Sequence, residues 1–424
     1  MPRQPRICWL TEEFFPPDVG GMGVITGALS QGIAAQGLEV RVITRQTQPP
    51  VAVSEWLDKV EVRRIPPAEE MKGTGLRAIP LVLGYLLRLI VLLSREAGRY
   101  DVVIISGMKI IPLVAVPLGR LLRKKIIVRV ESPFELAEPI SGESTRAMNN
   151  AVARLLSRVL RRMQLTVLRN SSCVIAISKD MEVLLQRTVP GPARVVDIPN
   201  AIDLSRFRPV LAADKARLRA VLGIPADKSV VVYAGRLSRS KGILLLMEAF
   251  REVAAGCSEL HLVVVGGGLG SWDECESEVH ALAASEELRD RVTLAGPSDR
   301  VHEYFQASDL FMLPSDYEGF GLTLVEALAC GLPAVATSVG VAPQIIRAGV
   351  NGFLCPPKDS PALAEALRAA LRRRTDWLEM GRHSREAVAH FDIQQVSARY
   401  VSLCRELTGC SRERKASAER SFPR

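Results

Sequence analysis

Two carboxylates and two cations in the second half of the sequence have the types and spacing to do chemistry. Glu318 and Glu326 lie eight positions apart in Ser315-Asp-Tyr-Glu-Gly-Phe-Gly-Leu-Thr-Leu-Val-Glu-Ala-Leu-Ala-Cys-Gly-Leu-Pro333. Gly319-Phe320-Gly321 is a turn that lets backbone approach a ligand without Cβ interference. Leu322 to Ala329 reads as a short apolar helix, ended by Gly331 with Pro333 just beyond. Its start, at Leu322 and Thr323, offers unbonded N–H groups and a partial positive charge, a seat for phosphate. Glu318 falls at the mouth of that seat. Glu326 falls about one turn inside the helix and leans toward its start. The pair suits a ligand that combines many hydroxyls with a diphosphate, such as a nucleotide sugar. The plain alternative is a capped helix carrying two solvated glutamates.

The cations stand in Gly235-Arg-Leu-Ser-Arg-Ser-Lys-Gly242, between an apolar strand and a helix over Ile243 to Phe250. Arg236 and Lys241 fall near the C-terminal edge of a sheet, where open α/β folds bind ligands. There they can offset charge that builds on a departing diphosphate. The spacing is not that of a Walker P-loop. The alternative is a solvated loop with ordinary surface cations. Two more glycine runs follow strands. Gly20-Gly21-Met22-Gly23 is not a dinucleotide fingerprint, because Thr26 stands where the last glycine belongs. Gly21 and Gly23 can still present N–H groups to a phosphate, or simply start a helix. Gly266-Gly267-Gly268 either lines a ligand cleft or is a flexible turn.

Short apolar runs alternating with helical stretches predict doubly wound α/β architecture. Strands are expected at Arg6–Leu10, Val40–Thr44, Val60–Ile65, Val102–Ser106, Ile126–Val130 and Cys173–Ser178. A crossover over Val195–Asp203 leads to a second series at Val230–Gly235, His261–Val265, Val292–Leu294, Leu310–Leu313 and Ala334–Ala336. Helices over Ser360–Arg374 and Gln394–Leu407 finish the fold. The tail, 411–424, is polar and basic and is expected to be disordered.

The motifs together resemble those of glycosyltransferase family 4, retaining enzymes of the GT-B fold. Glu318 to Glu326 resembles the family's Glu-x7-Glu, and 235–242 matches its Gly-Arg-Leu-x3-Lys-Gly in full. Phe15-Pro16-Pro17 with the glycine turn is similar to its first loop. The resemblance implies two Rossmann-like domains facing across a cleft. Residues 1–198 would form an acceptor-side domain and 199–389 a nucleotide-sugar domain, with a helix near 390–409 packing back on the first. It implies sugar transfer from a nucleotide sugar, with UDP-sugar the expected donor, to a hydroxyl acceptor: a lipid-linked glycan, a polysaccharide or a small metabolite. It implies retained anomeric configuration and no metal or other cofactor, the cation's job falling to Arg236, Lys241 and the helix start at Leu322. Glu318 would then hold donor sugar hydroxyls and Glu326 the ribose, with Gly21, Gly23, Gly319, Phe320, Gly321, Leu322 and Thr323 also at the donor. The alternatives are a noncatalytic relative that binds nucleotide sugars, or a GT-B epimerase or phosphorylase. One departure concerns histidine. Many members place a His near the donor sugar in the first domain, whereas the five here are His261, His280, His302, His383 and His390. Glu131 or Ser132 stands at the matching place and either contacts the sugar or caps a strand end.

Length and charge are consistent with this. The 424 residues suggest two or three domains. Composition is that of a globular protein, with 48% hydrophobic and 24% charged residues. Eight scattered cysteines without zinc spacing read as reduced thiols. The basic start is followed by too short an apolar run for a secretory signal, so a cytoplasmic location is expected. Net charge of +9 permits anionic partners. Nucleic acid is not expected, because basic residues are not interleaved with stacking aromatics. Residues 149–163 instead form an arginine-faced amphipathic pattern that suits an anionic membrane surface, making the protein peripheral there. The alternative is a core-packed helix with a solvated cationic face.

Overall fold

The structure is a computed structural model. It describes residues 3–14, 21–46, 53–66, 79–132, 151–189, 191, 194–268 and 273–410, with side chains of 79 and 151–157 left aside. Phe15-Pro16-Pro17, Gly20, Pro133 and the tail 411–424 lie outside the described residues. The chain divides into two compact units, Met1–Ala201 with Ile393–Arg424, and Ile202–Asp392.

The first unit is built on an eight-stranded sheet. Its strands are β1 (Ile7–Leu10), β2 (Val40–Arg45), β3 (Ser54–Leu57), β4 (Val60–Ile65), β5 (Val102–Ser106), β6 (Lys125–Val130), β7 (Cys173–Ala176) and β8 (Arg194–Asp197), in the order β3-β4-β2-β1-β5-β6-β7-β8. All pairs are parallel except β3 with β4. The central strands are apolar on both faces because helices cover both. These helices are α1 (Gly21–Ala35), α2 (Ile79–Arg95), α3 (Ile111–Leu121), α4 (Ala151–Arg169) and α5 (Lys179–Thr188). Tyr85, Leu89 and Leu93 of α2, Ile111 and Ala115 of α3 and Leu168 of α4 share one core with β5 and β6. The C-terminal helix, Ile393–Leu407, also belongs to this unit and lies on α1. Gly32 allows this approach: a Cβ there would lie 2.3 Å from Ser397 Oγ.

The second unit holds an all-parallel six-stranded sheet: β9 (Ser229–Ala234), β10 (Leu260–Val265), β11 (Val292–Gly296), β12 (Leu310–Leu313), β13 (Ala334–Thr337) and β14 (Gly352–Cys355), ordered β11-β10-β9-β12-β13-β14. Its helices are α6 (Ala212–Leu222), α7 (Ile243–Ala254), α8 (Glu276–Ala283), α9 (Val301–Ala307), α10 (Leu322–Ala329), α11 (Ala342–Ile345), α12 (Ser360–Arg372) and α13 (Trp377–Val388); the helix of Ile393–Leu407 is then α14. Strand order reverses between β9 and β12, and crevices for ligands lie beyond the C-terminal ends of strands at such a point.

Three short strands depart from the sequence reading. β3, β8 and β14 have four residues each and none is buried along its whole length, so each is too short to stand out as a strand by pattern. The expected crossover Val195–Asp203 therefore begins as strand β8. Segment 149–163 also differs. The buried side of α4 is Gln164, Val167 and Leu168, whereas Val159 and Met163 are each 44% exposed. These two apolar side chains of the expected inner stripe face outward beside the arginines.

Backbone packing at the edge of the second sheet can be tested at one position. Gly242 has φ +69°, and a Cβ there would lie 2.0 Å from Pro314 O. Gly242→Ala is expected to cost about 2 kcal/mol or more, because left-handed strain and overlap with rigid backbone add. Thermal unfolding should read this as a drop of several degrees; an unchanged midpoint would show that the approach is not tight.

Candidate functional site

The candidate site grows from the ends of β9 and β12. β9 is buried throughout and delivers the chain to Gly235. Leu237, 2% exposed, anchors the loop inward and leaves Arg236 outward and exposed. Tyr233 Oη donates to Arg236 O at 2.7 Å, which fixes the arginine's backbone. Gly266, at φ +141°, packs onto the same loop; its Cβ would lie 1.8 Å from Gly235 O. The Gly266–Gly268 run is thus a tight joint between loops rather than a loose turn. Gly267 O accepts from Leu237 N at 3.0 Å, and Gly268 N donates to Glu276 Oε2 at 3.1 Å.

The loop after β12 meets this one. Asp316 N donates to Ser240 O at 3.0 Å. Lys241 Nζ lies 2.7 Å from Glu318 Oε1, and Ser315 Oγ donates to the same oxygen at 2.9 Å. Two residues predicted 77 positions apart are thus joined by a charge-assisted bond, stronger than a neutral one. Their side chains are only 23% and 12% exposed, so water screens the pair weakly. An ammonium has three donors, so Lys241 can serve Glu318 and an incoming anion together. Ser315 was not singled out as a site residue. Its buried hydroxyl holds Glu318, while Thr337 Oγ1 donates to Ser315 O at 2.6 Å. A serine three places before a glutamate carries no signal of that role in sequence.

Gly319 is half-buried and Gly321 takes φ +96° ahead of α10. No side chain caps this helix, and the first backward bond runs from Leu324 N to Gly321 O at 3.1 Å. Leu322 and Thr323 therefore have N–H groups left unbonded within the helix at its start, the kind of position that can seat an anion. Phe320 turns its ring away from the surface, so any donor contact would fall to its backbone. Its ring is 3% exposed and packs edge-on against Phe391 with centroids 5.4 Å apart, while Phe320 O accepts from Val341 N. An aromatic ring between two glycines turns inward because burial of its area outweighs exposure at the loop.

Glu326 is half-buried as a residue, and burial of its carboxyl pushes the pKa up to about 8, against the pull of Arg206. Among the described residues its carboxyl has no hydrogen-bond partner. Arg206 is held nearby through His302 Nδ1, 3.3 Å from its Nε. Sequence reading missed Arg206, since a cation far from the motif carries no signal of its proximity.

Four predicted residues lie in the first unit. Gly21 and Gly23 begin α1, exposed and buried respectively. Glu131 follows β6, with its carboxylate 2.9 Å from Nη1 of Arg129, which is fully buried. Burial raises the Glu131 pKa and Arg129 opposes the rise. Arg129 also donates through Nη2 to Asn200 Oδ1. Glu131 balances an interior guanidinium, which favours the strand-end role over the sugar-contact role. Ser132 is half-buried beside it.

The Glu326 environment has a pH consequence. From its ordinary value of 4.5 up to about 8, the folded chain keeps a proton that the unfolded chain has released. Stability from this group is full below that window and falls as pH rises through it. Glu326→Gln, neutral at every pH, is expected to flatten this fall. Unfolding midpoints of the two proteins should separate between about pH 5 and pH 8. Parallel curves would contradict the assignment.

Comparison with known proteins agrees with the geometry. Residues 20–201 match the glycosyl transferase 4-like domain, and residues 214–387 match glycosyl transferases group 1. A D-inositol 3-phosphate glycosyltransferase 1 of Catenulispora acidiphila is 30% identical over 84% of this chain and 83% of its own length. Among solved structures, sucrose-phosphate synthase of Thermosynechococcus elongatus is similar with a TM-score of 0.75 and 26% identity, covering 96% of this chain and 100% of that one. HepE of Anabaena, in complex with UDP-glucose, shares the fold with a TM-score of 0.70 and 22% identity, covering 94% of this chain and 100% of that one. With both halves matched in order and Lys241 bonded to Glu318 across the loops after β9 and β12, the chain belongs to family 4 of the glycosyltransferases and is a glycosyltransferase of the GT-B fold.

Proposed function

We propose that the protein is a retaining, metal-independent hexosyltransferase that takes its sugar from a nucleotide sugar, with a UDP-sugar as donor. The observation that carries this is the Lys241–Glu318 pair, with Arg236 exposed beside it and the open start of α10 next to it. Cations and helix N–H groups aimed at a diphosphate stabilise the charge that grows as the glycosidic C1–O bond breaks. The acceptor oxygen forms the new bond to C1 on the same face, and its proton passes to the leaving diphosphate oxygen. Glu318, already bonded to Lys241 and Ser315, keeps its second carboxylate oxygen for sugar hydroxyls. Glu326 is left for the ribose. Support for a UDP-sugar comes from the UDP-glucose bound to the structurally similar HepE.

We further propose a cytoplasmic location, with segment 149–163 at an anionic membrane surface. The exposure of Arg158, Arg161 and Arg162 supports it. Among the described residues no helix is long and apolar enough to cross a membrane.

Lys241→Ala is expected to lower turnover by about 10²- to 10³-fold, the cost of losing one preorganised charge at a transition state. Thermal shift against UDP, GDP, ADP and their sugar conjugates, with and without chelator, should show a shift for uridine ligands that chelator leaves unchanged. Near-normal turnover in Lys241→Ala would remove the phosphate role. A shift abolished by chelator would remove metal independence.

A further inference from the structure

The first unit carries a surface that the candidate site described above does not include. Helix α2 carries apolar side chains on both its buried and its exposed side. Tyr85, Leu89 and Leu93 are buried, 2% exposed or less. On the opposite side Leu83, Leu87 and Val91 recur every four residues and are 61%, 62% and 39% exposed. A helix that meets water on one side normally turns polar residues to it. In place of acidic or amide side chains, the outer side of α2 adds Arg88 and Arg95. Neither α2, α3 nor α4 contains a single Asp or Glu in its sequence.

A basic recess of 510 Å³ adjoins this helix layer, where α3 and α4 end and β6 begins. Arg120, Arg123, Lys124, Lys125 and Arg169 line it, with Ser172 at the base of β6. Among the described residues none of the five cations makes an ion pair. Unpaired like charges in one recess repel one another, so the recess favours an anion. Arg123 also takes φ +56°, a conformation that glycine or asparagine adopts at less cost. Leu121, 79% exposed, stands in the same turn. The recess and α2 are tied together: Lys124 Nζ donates to Tyr100 O at 2.8 Å, and Tyr100 Oη donates to Leu93 O at 2.7 Å.

We propose that α2, α3 and this recess form a docking face for an anionic phospholipid bilayer. The stripe of Leu83, Leu87 and Val91 enters the headgroup–acyl boundary, and the recess seats a phosphate headgroup. Apolar side chains beside unpaired cations are what such an interface selects, the first buried in lipid and the second neutralised by it. Charge complementarity decides the occupant. A second copy of this chain would bring the same cations face to face. A nucleic acid would leave the leucines in water. The inference deepens the membrane reading of segment 149–163 but rests on a different helix.

The test is sedimentation of the full chain with vesicles of phosphatidylcholine alone and of equal parts phosphatidylcholine and phosphatidylglycerol. Two variants are compared: Leu83→Ser/Leu87→Ser/Val91→Ser and Arg123→Glu/Lys125→Glu/Arg169→Glu. These positions are exposed, and circular dichroism melting confirms the fold. Wild type should bind the anionic vesicles at least about tenfold more tightly than the neutral ones, and each variant should lose about tenfold. Added salt should weaken wild type and the serine variant but have little further effect on the glutamate variant. Equal recovery of wild type with both vesicles, or undiminished binding by both folded variants, overturns the proposal. So does a wild-type dimer that becomes a monomer in the serine variant without any vesicle binding. A charge reversal of Arg158, Arg161 and Arg162 run alongside separates the two membrane readings: if only that variant loses binding, segment 149–163 stands and this face falls.

Discussion

No Cβ fits between the loops that carry the charges of the second unit, and its site depends on that steric limit. Gly242 lies against Pro314 O and Gly266 against Gly235 O, each closer than any side chain permits. Gly340 lies against Phe320 O in the same way. Backbone in direct contact with backbone brings the β9, β10 and β12 loops to a spacing at which a lysine can reach a glutamate. It also makes the site rigid, because the loops are joined by carbonyls and N–H groups rather than by flexible side chains.

Charge is then distributed in layers. Lys241 and Glu318 neutralise each other at the loop contact, so neither stands as an isolated half-buried ion, which would be costly. Arg236 is exposed and makes no ion pair among the described residues. Burial pushes the Glu326 pKa up to about 8, which favours its neutral form, and Arg206 opposes that rise. The first unit solves a similar problem with Arg129, whose buried guanidinium is met by Glu131 and Asn200. Both units thus build from strands buried on both faces, and polar chemistry is displaced to the strand ends.

Much of this was legible in the residues. The long apolar strands, the helix after Gly321 and the charged loop after β9 all follow from local pattern, because each is set by neighbours in the chain. The short strands β3, β8 and β14 were not, since four residues with mixed exposure leave no periodic signal. Val159 and Met163 fit an inner stripe by spacing alone, yet they face outward because the burial axis of α4 runs through Gln164 and Leu168. Helical periodicity states that a stripe exists; what packs against it selects which stripe is buried.

The sequence by itself determined which side chains could do the chemistry: Arg236, Lys241, Glu318 and Glu326 with the glycines around them. Their types and spacing also carried the family resemblance. Only the tertiary structure decided that Lys241 bonds Glu318 through an oxygen shared with Ser315, that Phe320 turns inward, and that Glu131 is committed to Arg129. The reason is physical. Propensity, turns and helix starts act over a few residues. Ion pairs, burial and shifted protonation depend on groups brought together across long stretches of chain, and no local pattern records them.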